Sequence, residues 1–153
     1  MPENKGKLRY SFFAAGHIYG GFESTTKSIY PPFFNAFQKI NADSNIKFGV
    51  FLGDMVKEAN KESFDSLDAG LGNLNKQHYK VAGNHDLGNR ILYEERYGKT
   101  YYSFLYENDV FIVLDSRIDS GNISGKQLNL LKSTLSGLKS NQKLFIFFHD
   151  NLW

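Results

Sequence analysis

The first hundred residues alternate between short apolar runs and segments of helical period, and that order admits few folds. Residues 8–15, 47–52 and 79–82 are short, largely apolar runs carrying Phe, Val or Tyr, as strands do. Between the first two, Phe33, Phe37 and Ile40 share one face of a helix predicted over 28–40, with Pro31 and Pro32 suited to its first turn. Between the second and third, Phe64, Leu67, Leu71 and Leu74 repeat at helical spacing after Asn60, a residue type that caps helix N-termini. Strand–helix–strand order predicts a parallel sheet joined by right-handed crossovers.

The order changes near position 100. A short helix over 92–97, stopped by Gly98, gives way to strand runs at 101–106 and 110–114. Glu107-Asn108-Asp109 between them reads as a hairpin turn. Ser124 and Gln127 have the spacing of a capping box, and Leu128, Leu131, Leu135 and Leu138 follow on one helical face. A last apolar run occupies 144–148. The hairpin predicts a mixed or second sheet, and the class is α/β in its wider α+β sense.

Composition excludes several classes of protein. With 153 residues, 41% hydrophobic and 22% charged, the chain reads as one soluble domain spanning 1–153 with a real core. Fourteen Phe and nine Tyr are read mainly as core. No apolar run approaches the roughly 20 residues of a membrane span, and residues 1–7 lead into no secretory signal. The absence of Cys removes disulfides, thiolate catalysis and Cys-ligated zinc, and a cytoplasmic setting is expected. Net charge is +2 with scattered Lys and Arg, so no nucleic-acid patch and no membrane partner are expected.

The chemistry gathers where apolar runs end. Ala15-Gly16-His17, Gly53-Asp54, Gly83-Asn84-His85-Asp86 and His149-Asp150 each follow one. In sheets of this kind ligands collect beyond the carboxyl ends of the strands. Asp54 offers two carboxylate oxygens, which can bridge a cation pair about 3.5–4 Å apart that clamps a phosphoryl group. Asn84 offers a neutral oxygen suited to hard divalent ions. His85 is the candidate general acid or electrostatic stabiliser of the leaving oxygen, with Asp86 able to orient its ring. Each has a plainer reading: turns favour Gly, Asp and Asn, and a histidine at a strand end is as often a polar terminus as a ligand. The four consecutive residues 83–86 at one strand end favour a site. His78, in Lys76-Gln77-His78, reads as surface. Tyr19, Phe22 and Tyr30 follow His17 and read as core before pocket lining, with Gly20-Gly21 marking a flexible or tight loop.

These residues resemble the calcineurin-like metallophosphoesterase family. Its pattern is Asp-x-His, Gly-Asp, Gly-Asn-His-Asp or -Glu, a His after an apolar strand, then Gly-His-x-His. Gly53-Asp54 and Gly83-Asn84-His85-Asp86 match two motifs, and the later runs from Tyr101 to His149 are also similar, so the likeness extends over 8–153. It implies an αββα sandwich and a two-metal site that cleaves phosphomonoesters or phosphodiesters. It implies that Asp54 bridges the metals, that Asn84 and His149 hold the second, that His17 serves the first, and that His85 protonates the leaving group with Asp86 behind it.

Two departures qualify this. Ala15 stands where the first motif has Asp, and a methyl group binds no metal. Only four residues follow His149, with no Gly-His-x-His among them. The resemblance then leaves His17 and Asp54 for the first metal and Asp54, Asn84 and His149 for the second. Fewer than two divalent ions per chain are expected, manganese, iron or zinc. A domain short at its C-terminus is also expected, with an incomplete second sheet and strand edges open to self-association. The expected function is metal-dependent hydrolysis of a small-molecule phosphoester, weak in this form. The alternative is a catalytically inactive binding module on the same fold. A helical His-Asp phosphohydrolase site built from His85-Asp86 and His149-Asp150 is rejected, because both pairs follow strand-like runs.

Overall fold

A computed structural model describes residues 10–21, 23–26 and 28–150. The first strand, β1 (Ser11–Ala15), pairs in parallel with β2 (Ile46–Leu52), which pairs in parallel with β3 (Gln77–Val81). The helices α1 (Pro31–Ala42) and α2 (Lys61–Leu71) make the two crossovers. A 3-10 turn at Asp86–Asn89 leads into α3 (Arg90–Tyr97). The hairpin β4 (Tyr102–Tyr106) and β5 (Asp109–Val113), the helix α4 (Gly125–Ser136) and the strand β6 (Leu144–Phe147) complete the order. In the second sheet β4 lies antiparallel and β6 parallel to β5. The sheet is therefore both separate and mixed.

Alternation along the central strands builds four layers. Phe51 of β2 turns toward Phe37, Phe64, Leu67 and Tyr93 of the first three helices. Its neighbours Phe48 and Val50 face the other way and meet Phe111 and Val113 of β5. Val110 and Ile112 point from β5 toward Leu131 of α4 and Leu138 just past its end. Both middle strands are thus buried on both faces, and the stack runs helix, sheet, sheet, helix: an αββα sandwich. Aromatic rings fill the space between the sheets. Phe111 stacks on Phe104 and Phe145, with centroids 4.9 Å away in each case, and meets Phe48 edge-on at 5.3 Å.

Local chemistry explains the element ends. Pro31 and Pro32 occupy the first turn of α1, where a missing N–H costs nothing. The Asn60 side chain accepts the Ser63 N–H at 2.9 Å and caps α2. Gly98, at φ 82°, ends α3. The hairpin turn is tighter than expected, because Asp109 pairs with Tyr106 inside the ladder and Glu107 takes a φ of 51°.

The expected capping box does not form. Ser124 precedes α4 without a side-chain cap, and Gln127 points inward. Its Oε1 accepts the Asp115 N–H at 2.6 Å and its Nε2 donates to the Asp115 carbonyl at 3.1 Å. Backbone groups at the end of β5 would be buried without partners, and the amide satisfies both. His78 also departs from expectation: it is half-buried, its ring 5.4 Å from that of Phe51, and burial lowers its pKa. Tyr19 is buried and Tyr30 is exposed, while residues 8, 9, 22 and 153 lie outside the described ones.

Candidate metal centre

Three strand ends of the first sheet and one of the second meet at a single point. Past β1 the chain turns at His17, whose N–H donates to the Gly53 carbonyl at 3.0 Å. Past β2 it turns at Asp54. Both residues sit in the left-handed region, at φ 51° and 53°. Side chains larger than Gly rarely adopt that backbone, and such strain concentrates at functional sites. Two glycines make the approach close enough. At Gly53, a Cβ would strike the His149 ring, and at Gly83 one would strike the Asp54 carboxylate and backbone N.

The donor atoms face one another. His17 Nε2 lies 3.2 Å from Asp54 Oδ2, and His149 Nε2 lies 3.4 Å from Asp54 Oδ1. Ligand atoms of His17, Asp54 and His149 all fall within 4.8 Å of one another. Asn84 joins them, its Oδ1 3.2 Å from His149 Nε2. Donors held about 2.0–2.1 Å from a tetrahedral ion stand roughly 3.3 Å apart, so these spacings suit one cation. The Leu52 carbonyl accepts a hydrogen bond from His149 Nδ1 at 2.8 Å, which leaves Nε2 as the nitrogen that could ligate a cation. Nitrogen, carboxylate and amide-oxygen donors together suit zinc, iron or manganese.

The charges are tuned by this contact. His149 is pushed up to about 9, first by its hydrogen bond to Asp54, against burial, and helped by the Leu52 carbonyl. Burial alone would raise Asp54, which is 2% exposed. The His149 hydrogen bond, the His85 N–H and the charges of both rings outweigh it and hold Asp54 below its ordinary value.

His85 and Asp86 stand differently from their expected arrangement. The His85 N–H donates to Asp54 Oδ1 at 3.0 Å, so its backbone touches the centre. Its ring Nδ1 donates to the Lys57 carbonyl at 2.7 Å, and the Tyr19 ring lies 5.5 Å away. The orienting contact expected from Asp86 is therefore supplied by Lys57. Asp86 is buried behind the loop and accepts N–H groups from Met55 at 2.8 Å, Gly83 at 2.9 Å and Val56 at 3.2 Å. Burial pushes it up to about 6 against those three hydrogen bonds, and the Asp54 charge adds to the rise. It fastens the loop carrying Asn84 to the end of β2.

Ala15, at the place of the family's Asp, packs its methyl against the helix-side core. Asp150, next to His149, is anchored by residues that follow β5. Ser116, just after β5, accepts the Asp150 N–H at 3.1 Å and donates to Asp150 Oδ2 at 3.0 Å, while Arg117 Nε reaches the same carboxylate at 2.9 Å. Arg90 Nη1 donates to the buried Asp115 at 2.7 Å and ties α3 to β5. Polar residues directly after the buried run 110–114 were the available sequence signal.

No family model matches the chain, and no curated protein matches it. Solved structures do. A purple acid phosphatase, PPD1, from yellow lupin (Lupinus luteus) seeds aligns with a TM-score of 0.64 at 15% identity, covering 86% of this chain and 29% of that one. Vps29 of Chaetomium thermophilum aligns at 0.44 and 13% identity, covering 87% of this chain and 58% of that one. The chain thus spans under a third of the length of the first and somewhat over half of the second. The architecture is the αββα sandwich of the metallophosphoesterase type, and it carries a His–Asp–His cluster at its strand ends. Among the described residues no helix is long and apolar enough to cross a membrane.

Proposed function

We propose that this chain is a metal-dependent phosphoester hydrolase that holds one divalent cation between its two sheets. The observation carrying this reading is the convergence of His17, Asp54 and His149 within 4.8 Å, with the Asn84 oxygen beside them. The phosphatase named in the structural comparison lends support at the level of the fold.

Asp54, Asn84 and His149 would hold the cation, with His17 as the fourth donor. The bound ion would supply positive charge to the phosphoryl oxygens and acidify a water. In hydrolysis the water oxygen attacks phosphorus, the P–O ester bond breaks and the leaving oxygen takes a proton. His85 is the group proposed to give it. With Nδ1–H held by Lys57, the ring exchanges its second proton at Nε2. Asp86 acts through the backbone, fixing Gly83 and so the Asn84 oxygen. The substrate is proposed to be a small phosphomonoester or phosphodiester.

The test is hydrolysis of nitrophenyl phosphate and its bis-ester with added Mn²⁺. Activity is expected to require the metal and to fall about 10²–10⁴-fold in His85→Ala, the range for losing a general acid. Equal rates in the two proteins would remove His85 from the chemistry.

One observation favours a second reading, a non-catalytic binding module: Ala15, two residues before His17, packs into the helix-side core and offers the site no charged ligand. Calorimetry with Mn²⁺, Zn²⁺ and Fe²⁺ separates the two. Uptake of about one ion per chain together with metal-dependent turnover would exclude the module, and no uptake at all would exclude the hydrolase.

A further inference from the structure

A cleft along the outer edge of β3 shares no lining residue with the candidate metal centre. Its volume is about 610 Å³, within the range of small-molecule sites. Tyr93, Arg96 and Tyr97 of α3, Lys80 of β3, Lys99 and Tyr102 line it.

Most of its polar atoms are already engaged. The Tyr102 hydroxyl accepts the Lys80 N–H and donates to the Lys80 carbonyl, both at 3.0 Å, and so occupies the open strand edge. Tyr97 Oη donates to Asp68 Oδ1 at 2.9 Å. Arg96 is spent on Asp68 at 2.6 Å and Asp65 at 2.8 Å. What remains is aromatic surface, the His78 ring, the Tyr93 hydroxyl and two ammonium groups. Among the described residues neither the Lys80 nor the Lys99 ammonium forms an ion pair. That of Lys80 rests over the Tyr97 ring, 4.7 Å from its centroid. It is largely withdrawn from water, and burial holds its pKa below the ordinary value against the pull of Asp68. An ammonium has three N–H donors, and a ring face serves only part of that capacity.

We infer that this cleft binds an anionic aromatic small molecule of mononucleotide size, its charge between Lys80 and Lys99 and its ring against the tyrosines. The aromatic walls set the ring as part of the ligand, and the two ammonium groups without ion pairs are its cationic readers. The inference is independent of the proposed hydrolysis, since the site shares none of its residues.

The test uses metal-free full chain labelled for NMR, titrated with adenosine monophosphate, adenosine and inorganic phosphate in turn. The monophosphate is expected to bind, with shifts at Lys80, Tyr97 and Lys99. Each half-ligand is expected to bind about tenfold or more weakly, as is the monophosphate in Lys80→Met, where a desolvated cation–π and charge contact is lost. Lys99→Gln, at an exposed position, gives the same direction where Lys80→Met disturbs folding. Four outcomes overturn the inference. These are no binding by about 10 mM, shifts centred on Asn84 and His149, phosphate or adenosine matching the monophosphate, or Lys99→Gln and a folded Lys80→Met binding like the wild type.

Discussion

His149 carries the most consequence of any single residue, because proton and cation compete for its Nε2. Its pKa is raised from 6.5 to about 9 by the Asp54 contact, so at neutral pH the metal-free ring holds a proton. A cation must displace that proton, and its affinity is expected to climb about tenfold per pH unit between roughly 6.5 and 9, then level off. Calorimetry across that range checks it, and a flat profile would contradict the arrangement. Stability of the metal-free chain runs the other way. A folded pKa above the unfolded one contributes stability that is complete below about 6.5 and lost as pH rises through about 9. The urea midpoint gap between wild type and His149→Gln should therefore close over the same interval. Gly83 yields a second expectation at this scale. A Cβ there meets the Asp54 carboxylate and backbone. Gly83→Ala should lose about 1–3 kcal/mol, the usual cost of overpacking, and lose metal binding with it.

At the scale of elements, the two N-caps make a matched pair. Asn60 was legible as a cap and acts as one, so Asn60→Ala should cost about 1 kcal/mol. Ser124 looked equally good and makes no cap bond, so Ser124→Ala should change the urea midpoint little. The cost moves instead to Gln127, where Gln127→Leu strands the buried Asp115 N–H and carbonyl and should lose about 1–3 kcal/mol. The contrast shows where sequence reading runs out. Periodicity and end residues located the strands, the helices and the four polar strand ends, because those signals are local. Whether Gln127 reaches back to its own helix or across to β5 depends on a sheet that forms some distance away. The same holds for His85, whose neighbour in sequence is Asp86 but whose ring finds the carbonyl of Lys57. Backbone partners carry no side-chain signature, and so the Leu52 and Lys57 carbonyls were invisible until the strands were placed.

Across the whole molecule, the candidate metal centre is a seam between two sheets. His17, Asp54 and Asn84 follow β1, β2 and β3, whereas His149 follows β6 on the other side of the aromatic layer. A cation held by all four would clamp the sheets at the same end where Ser116 and Arg117 hold Asp150. Binding to the folded state alone adds about 2.7 kcal/mol at a hundredfold excess over Kd, which for a chain of this size raises the melting midpoint by about 5–10 °C. His149→Gln removes the one of these four donors that follows a strand of the second sheet, and its midpoint should rise by a small fraction of that. Phe111→Leu tests the seam from its middle. It thins the stack of Phe104, Phe111 and Phe145 between the layers without touching a donor. Loss of packing lowers the midpoint of the metal-free protein, and a clamp that depends on sheet spacing should also bind its cation more weakly. If Phe111→Leu melts earlier yet gains the full wild-type increment from metal, the donors form a rigid cluster independent of the sandwich. If both fall together, the aromatic layer sets the distance at which His149 meets Asp54.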